Sequence, residues 1–125
     1  MQNVIKLAAT QAFLDTVKLD HSVWKNQVYT KIDKQDFAEE VNAHTECRLG
    51  KWYYQGYGQK HFQQSRNFKA IEAPHKLVHD SGRAAVQAAM AGQGKVMLQH
   101  LEKMEGASLQ VVQNIEALLE EIKEG

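Results

Sequence analysis

Helical periodicity runs through this chain, and it limits the fold more than any other feature of the sequence. Apolar residues recur three and four positions apart, whereas the strict alternation of apolar and polar residues that is typical of strands is rare. The only proline is Pro74, so few positions interrupt helical hydrogen bonding. We therefore predict an all-α fold.

Helix boundaries follow from the breaks in this pattern. We predict four long helices, over about Val4–Ile32, Asp36–Leu49, Pro74–Met90 and Lys95–Lys123, with one or two short helical turns between Trp52 and Gln64. Gly50 is expected to stop the second helix, and the segment Gly92–Gly94 to stop the third. Pro74 suits a helix start because the first turn needs no N–H donor there. The expected architecture is a four-helix bundle with an extra short helical segment.

Two of the predicted helices carry apolar stripes. The stripe on the first helix consists of Phe13, Val17, Trp24, Val28 and Ile32, and the stripe on the last consists of Leu101, Met104, Ser108, Val112, Ile115, Leu119 and Ile122. His21 lies on the first stripe, about one turn from Val17 and from Trp24. Its imidazole is therefore expected to face the interior, where each ring nitrogen needs a partner.

Composition limits the partners of the chain. Lys and Arg together number 15, as do Asp and Glu, so no net positive field attracts nucleic acid or an anionic membrane. A length of 125 residues with 43% hydrophobic residues fits one domain, residues 1–125. No apolar stretch approaches the roughly 20 residues that cross a bilayer, and the N-terminus lacks the pattern of a secretory signal. We expect a cytoplasmic protein.

The only cysteine is Cys47, which cannot form a disulfide within the chain. In a reducing compartment, an unpaired cysteine near histidines is typical of a metal site or a redox site. His75 and His79 share one face of the predicted third helix, although histidine pairs at this spacing also occur on solvated faces. His21 and Cys47 are expected to face the same bundle interior. Three imidazoles and one thiolate complete a tetrahedral zinc set and disfavour calcium or magnesium.

Other residues near these four are weaker candidates for a role in the metal site. His44 lies one turn before the cysteine in the predicted second helix, so it is a candidate for direct ligation or for a supporting contact. Asp20 and Asp80 are candidates to accept the free N–H of a ligating histidine, although a surface charge is the simpler role for each. The aromatic residues expected to pack in the core around the metal are Trp24, Trp52, Tyr53 and Tyr54.

Three blocks of sequence, in this order, resemble the chemoreceptor zinc-binding domain family. They are Lys18–Lys25 (KLDHSVWK), His44–Tyr54 (HTECRLGKWYY) and Pro74–His79 (PHKLVH). The run from Cys47 to Tyr54 is the most specific of them, because it is far less frequent by chance than a pair of histidines. The resemblance implies one zinc ion held by four residues, namely His21, Cys47, His75 and His79. It also implies a helical bundle that pairs as a homodimer.

Domains of this family are attached to cytoplasmic chemoreceptors and to diguanylate cyclases. The resemblance implies a regulatory sensor of zinc or of oxidants such as hypochlorous acid, with Cys47 as the redox-sensing residue and an output domain in cis or in trans. The residues around Cys47 resemble the chemoreceptor-linked members more closely, which implies a role in chemotaxis signalling. Regulation of a diguanylate cyclase is the alternative. Four protein ligands leave zinc no position for a water nucleophile, so we expect no enzymatic activity.

Two other classes of protein fit the sequence less well. A di-iron bundle needs Glu-x-x-His motifs from two helices, and here the motif occurs once, at Glu72 and His75. Because Pro74 is expected to start the helix, Glu72 should lie ahead of it and point elsewhere. A purely structural bundle that binds a coiled coil through its last helix is the third possibility. The apolar stripe on that helix is explained more simply by burial within the chain or by a homodimer interface.

Overall fold

Six α-helices make up the computed structural model of the chain, which describes residues 2–124. They are α1 (Gln2–Lys34), α2 (Arg48–Tyr54), α3 (Tyr57–Phe62), α4 (Arg66–Lys69), α5 (Glu72–Met90) and α6 (Gly94–Glu124). No strand occurs among these residues. The prediction of an all-α fold is confirmed. No helix within this range is both long enough and apolar enough to cross a membrane.

The core lies between the three long helices. α5 and α6 pack along each other, and α1 packs against both. The turn between α5 and α6 contains Gly92, whose φ of +73° is a left-handed conformation that glycine adopts without steric cost. Buried apolar side chains form one cluster, which includes Leu14, Val17 and Val28 of α1.

The apolar stripes predicted on the first and last helices face this core. Val17, His21, Trp24 and Val28 are buried on α1. On α6, the predicted residues that are buried are Met104, Ser108, Ile115 and Leu119, and those that are half-buried are Leu101, Val112 and Ile122. The apolar stripe of α6 is therefore covered largely by other parts of the same chain. The bounds of α1 and α6 agree with the predicted ones to within two residues.

The segment predicted as the second long helix, Asp36–Leu49, is mostly irregular. α1 ends at Lys34, and Gln35 has a φ of +53° that turns the chain out of the helix. Side chains then compete for backbone groups: Asp36 Oδ1 accepts a hydrogen bond from the Ala38 N–H at 3.4 Å. The prediction of a long helix over Asp36–Leu49 is therefore wrong. Three short helices, α2, α3 and α4, follow this segment instead, with α2 packed against α1 and α4 against α6.

The helical spacing within this segment is coincidental. The residues that suggested a helix are Phe37, Glu40, Val41, His44 and Cys47, and of these only Val41 is buried. Glu46 Oε1 accepts a hydrogen bond from the Ala43 N–H at 2.7 Å, which closes a local turn just before the cysteine. A helix begins only after that turn.

Gly50 lies inside α2 and does not end a helix as predicted. α2 begins at Arg48, and Cys47 is its N-cap. A Cβ atom at position 50 would overlap the carbonyl oxygen of His44 and lie 2.9 Å from Thr45 Cα. Glycine therefore allows the chain before the cysteine to fold across the first turn of α2.

α5 begins at Glu72, two residues before the predicted start at Pro74. Pro74 is tolerated there because N–H groups in the first turn have no acceptor within the helix. The prediction that Glu72 precedes the helix is therefore wrong. Its carboxylate is used elsewhere, since the Tyr54 hydroxyl donates a hydrogen bond to Glu72 Oε2 at 2.7 Å.

Polar contacts hold α1 against α6 on the solvent side. Lys25 Nζ lies 2.8 Å from Glu105 Oε1, and the Tyr29 hydroxyl donates to Glu105 Oε2 at 2.6 Å. Burial, followed by the bond to Glu105, raises the pKa of Tyr29 to about 12. Tyr29 therefore stays a donor at neutral pH, and these contacts fix the part of α1 that carries His21.

Candidate metal centre

The structure brings together the four residues predicted as zinc ligands. One donor atom from each of them lies within 4.8 Å of every other, and the four residues are His21, Cys47, His75 and His79. They come from the middle of α1, from the N-cap of α2 and from the first two turns of α5. The three histidines are at most 5% exposed, and the cysteine is half-buried.

The Cys47 sulfur lies at the junction of α2 and α5. It is 3.2 Å from His75 Nε2, and the Gly50 N–H donates a hydrogen bond to it at 3.4 Å. Burial raises the pKa of the Cys47 thiol, whereas the N–H groups at the start of α2 act in the opposite direction. A positive ion at this position would favour the thiolate form.

Two of the histidines present ring nitrogens that have no partner in the protein. His79 Nδ1 donates to the backbone carbonyl of Asn42 at 3.0 Å, because a carbonyl oxygen can only accept. His79 Nε2 therefore carries a lone pair, and this atom is buried without a hydrogen bond, as is His21 Nε2. Buried polar atoms rarely stay unpaired. The donor set of three nitrogens and one sulfur fits zinc, which would satisfy these atoms.

Burial also keeps these imidazoles neutral. The pKa of His21 and of His79 is lowered to about 4 and that of His75 to about 2, chiefly by burial and, for His21 and His75, also by the neighbouring imidazoles. A neutral imidazole is the form that binds a metal ion. The histidines are therefore ready to bind a metal ion at neutral pH without losing a proton.

Trp24 covers one side of the site. Its ring lies against the His79 ring with the centroids 4.3 Å apart. A Cβ atom at Gly82 would overlap the Trp24 ring, so the glycine allows the indole to reach this position. The prediction that aromatic residues surround the site holds for Trp24. Trp52 and Tyr53 instead stack with Phe13 and Phe68 in the adjoining apolar core.

A sequence profile of the chemoreceptor zinc-binding domain matches residues 21–86, which is more than half of the chain. The chain belongs to the chemoreceptor zinc-binding domain family. The match begins at His21 and extends past His79, so it contains all four donor residues. No curated protein and no solved structure matches the chain.

His44 lies beside the four donors of this chemoreceptor zinc-binding domain but outside their group. Its Nε2 is 3.1 Å from the Tyr54 hydroxyl, which itself donates to Glu72. The hydroxyl therefore accepts from His44, and the imidazole is held with its ring edge-on to His75 at a centroid distance of 5.6 Å. This arrangement gives His44 a supporting contact to the site.

Neither of the two aspartates proposed as partners of ligating histidines bonds a histidine among the described residues. Asp20 pairs with Arg48, with Oδ2 at 3.3 Å from Nε. Asp80 is exposed. The acceptor that the sequence failed to identify is the Asn42 carbonyl, which bonds His79. A backbone carbonyl leaves no signal in residue type, and Asn42 lies in a segment that was predicted to be helical.

Acid is expected to destabilise the zinc-free chain. An unfolded histidine has a pKa near 6.5, whereas these three have lower values when folded, so the unfolded state binds more protons below that pH. Between pH 7 and pH 6 the free energy of unfolding should fall by about 0.7 kcal/mol for each histidine, or about 2 kcal/mol in all. Urea unfolding at the two pH values measures this change. His61→Gln, at an exposed site, should leave it unaltered, and equal stability at both pH values would contradict it.

Proposed function

We propose that this chain is a zinc-binding regulatory domain of the cytoplasm and not an enzyme. The observation that carries the proposal is the convergence of four donor atoms within 4.8 Å, two of them buried nitrogens without protein partners. The residues that would hold the ion are His21, Cys47, His75 and His79. Bound zinc would supply the positive charge that keeps the sulfur deprotonated. Four protein donors complete a tetrahedral set, so no position remains to activate water.

Cys47 is the sensing residue of this proposal. When its thiolate meets hypochlorous acid, a bond forms between sulfur and the hydroxyl oxygen, and the oxygen–chlorine bond breaks. The sulfur loses two electrons, and chloride leaves with them, so the product is a sulfenic acid. The oxidised sulfur is a poorer zinc ligand than a thiolate.

The position of Cys47 in the fold gives the oxidation a structural consequence. The residue caps α2 and ends the irregular segment 36–47. That segment also bonds His79 through Asn42 and contacts α5 through the pair of Glu40 with Arg83, at 3.2 Å. Oxidation of the sulfur would therefore affect the position of both the segment 36–47 and α2. Binding or release of zinc would affect the same two parts of the chain. Zinc itself is thus the second candidate signal.

Zinc analysis during an oxidant titration tests this function. We expect one zinc per purified chain, and release of zinc as hypochlorous acid is added in stoichiometric amounts. Cys47→Ser should bind zinc more weakly and lose the response to oxidant. Retention of zinc throughout the titration would contradict release as the mechanism, and a Cys47→Ser variant that binds and responds like the wild type would contradict the role of the cysteine.

The expected output is chemotaxis signalling through a receptor signalling domain in cis or in trans. The support for this proposal is the chemoreceptor association of the family. Regulation of a diguanylate cyclase is the alternative output. Fusion of the chain to each output domain, with zinc and oxidant as inputs, distinguishes the two.

A di-iron function is not favoured. Among residues 2–124, one group of His, Cys, Asp or Glu side chains has donor atoms close enough to hold an ion, and it contains no carboxylate. Di-iron sites in helical bundles are rich in glutamate. Glu72, which completed the only motif of this type, is bonded to Tyr54.

A homodimer is the assembly that we propose, and the outer face of α1 supports it. Ile5, Leu19 and Val23 are 68%, 65% and 52% exposed. At 100° per residue, these side chains fall on one face, opposite to the buried stripe that contains His21. α1 thus has one apolar face in the core and a second that lacks cover within the chain, which suits a second copy.

Charge on this outer face is expected to separate the dimer. Leu19→Glu combined with Val23→Glu should give a monomer by light scattering, because the change buries like charges at a two-fold interface. Met90→Glu places a charge at an exposed apolar residue of α5 and should leave the mass unchanged. A double variant that remains a dimer would place the interface elsewhere.

A further inference from the structure

The Tyr54 hydroxyl joins two helices next to the candidate metal centre. Tyr54 is the last residue of α2, and Glu72 is the first residue of α5. The hydroxyl donates a hydrogen bond to Glu72 Oε2 at 2.7 Å and accepts one from His44 Nε2 at 3.1 Å. It therefore connects α5, α2 and the segment before Cys47 at a single oxygen atom.

The carboxylate of Glu72 sets the direction of both bonds. A carboxylate oxygen can only accept, so the one proton of the Tyr54 hydroxyl points towards Glu72, and the oxygen keeps lone pairs for the N–H of His44. Burial, followed by the bond to Glu72, raises the pKa of Tyr54, so the hydroxyl keeps its proton at neutral pH. The hydrogen-bonded chain from His44 to Glu72 therefore depends on the hydroxyl in its middle.

Polar contacts hold residues 36–54 against α5 at four points in the described part of the chain. The bond between Tyr54 and Glu72 is the shortest of them. At the other three points the atoms lie 3.0 to 3.2 Å apart, and the pairs are Glu40 with Arg83, Asn42 with His79, and Cys47 with His75. His44 precedes Cys47 in the sequence and Tyr54 follows it, so the link through the hydroxyl holds the chain on both sides of the cysteine.

The Cys47 sulfur itself is held by weak contacts. Its distances to the His44 carbonyl oxygen and to the Gly50 nitrogen are both 3.4 Å, and sulfur is a weak hydrogen-bonding atom. If His44 and Tyr54 were free, the cysteine between them would sample several positions. Zinc would then have to order this part of the chain at a cost in conformational entropy, whereas a site whose donors are already in place avoids that cost.

We propose that Tyr54 is a positioning residue of the metal centre, and that its hydrogen bonds to Glu72 and His44 hold Cys47 beside His75. The proposal rests on the proposed function in taking Cys47 and His75 as zinc ligands. Tyr54 lies outside the donor set, so it acts on zinc only through the residues that it holds in place. The affinity for zinc therefore depends on a hydroxyl group that does not touch the ion.

Tyr54→Phe removes the hydroxyl and keeps the ring. The dissociation constant for zinc should rise about fivefold, which is the size expected for the loss of one hydrogen bond of average strength. Tyr57→Phe makes the same change at an exposed tyrosine of α3, whose ring stacks on His61, and should leave the constant unchanged. Competition with a chelator of known affinity measures both variants. A Tyr54→Phe variant that binds zinc as tightly as the wild type would overturn the proposal.

Variants of Glu72 separate positioning from a general loss of stability. Glu72→Gln keeps an acceptor for the hydroxyl and should bind zinc within about twofold of the wild type, whereas Glu72→Ala should be weakened as much as Tyr54→Phe. Tyr54→Phe combined with Glu72→Ala should also be weakened only about fivefold, because both changes remove the same bond. An additive effect, about 25-fold in the double variant, would show that the two residues act independently and would contradict the proposal.

Hydrogen exchange of the zinc-free chain tests the same link without a metal. The N–H groups of Glu46, Lys51 and Gln55 donate to backbone carbonyls within residues 43–55, at 3.0 Å each. These amides should exchange faster in Tyr54→Phe than in the wild type or in Tyr57→Phe, because this part of the chain opens locally more often. Equal exchange in all three would refute the proposal. A wild-type chain that binds no zinc would instead contradict the proposed function, and the exchange rates would still decide whether Tyr54 holds the chain around Cys47.

Discussion

Chelation of zinc is expected to lower the free energy of unfolding of the loaded chain by about 4 kcal/mol, relative to a free zinc concentration of about 1000 times the dissociation constant. The reason lies in the positions of the four donors. His21 and His79 are far apart in sequence, and the unfolded chain does not hold them together, so zinc binds the folded state preferentially. Denaturant unfolding with and without a chelator measures the difference.

The matched variants separate a zinc effect from a general effect of the chelator. His79→Ala should bind zinc poorly, so its stability should be nearly the same with and without the chelator. His61→Ala removes an exposed imidazole and should keep the full stabilisation. If the wild-type chain unfolds at the same denaturant concentration with and without zinc, the four residues do not form a zinc site.

The donor residues were predictable because their chemistry is local to the side chain. A lone cysteine and a pair of histidines one turn apart can be recognised from residue type and spacing. His21 lies on a predicted apolar stripe of α1 that is buried in the structure. The family resemblance then joined the separate segments. Its profile covers the part of the chain that contains all four residues.

The segment 36–47 could not be predicted in the same way. Its apolar spacing fits a helix, but the competing hydrogen bonds of Asp36 and Glu46 to nearby N–H groups depend on the fold of the backbone. The same applies to the Asn42 carbonyl on His79 and to the pairing of Asp20 with Arg48. These contacts arise when distant segments meet, and they leave no periodic signal in the sequence.

Gly50 shows how such a contact can be misread from sequence. A glycine after a helical pattern is typical of a helix end, which was the prediction here. In the structure it is needed for a close approach of two backbone segments, since the His44 carbonyl occupies the space of a Cβ atom. The same residue type thus serves two different physical needs, and only the neighbouring backbone distinguishes them.

Gly50→Ala is accordingly expected to lower the free energy of unfolding by about 3 kcal/mol, towards the upper end of the usual range for single substitutions. The added methyl group meets backbone atoms of His44 and Thr45, which cannot move aside as a flexible side chain would. Because these residues precede Cys47 directly, the sulfur should also be displaced. Zinc affinity should fall at least about tenfold, which corresponds to about 1.4 kcal/mol.

Gly106→Ala is the matched control for this substitution. Gly106 lies within α6, and a Cβ atom there would have no neighbour within 4 Å. The same chemical change should therefore stabilise the chain by about 0.5 to 1 kcal/mol, through the better helix propensity of alanine, and leave zinc affinity unchanged. Urea unfolding and zinc titration measure both variants. If Gly50→Ala lowers the free energy of unfolding and Gly106→Ala raises it, the destabilisation by Gly50→Ala comes from the backbone contact that positions Cys47. If Gly50→Ala binds zinc as tightly as the wild type, the position of the sulfur does not depend on that contact.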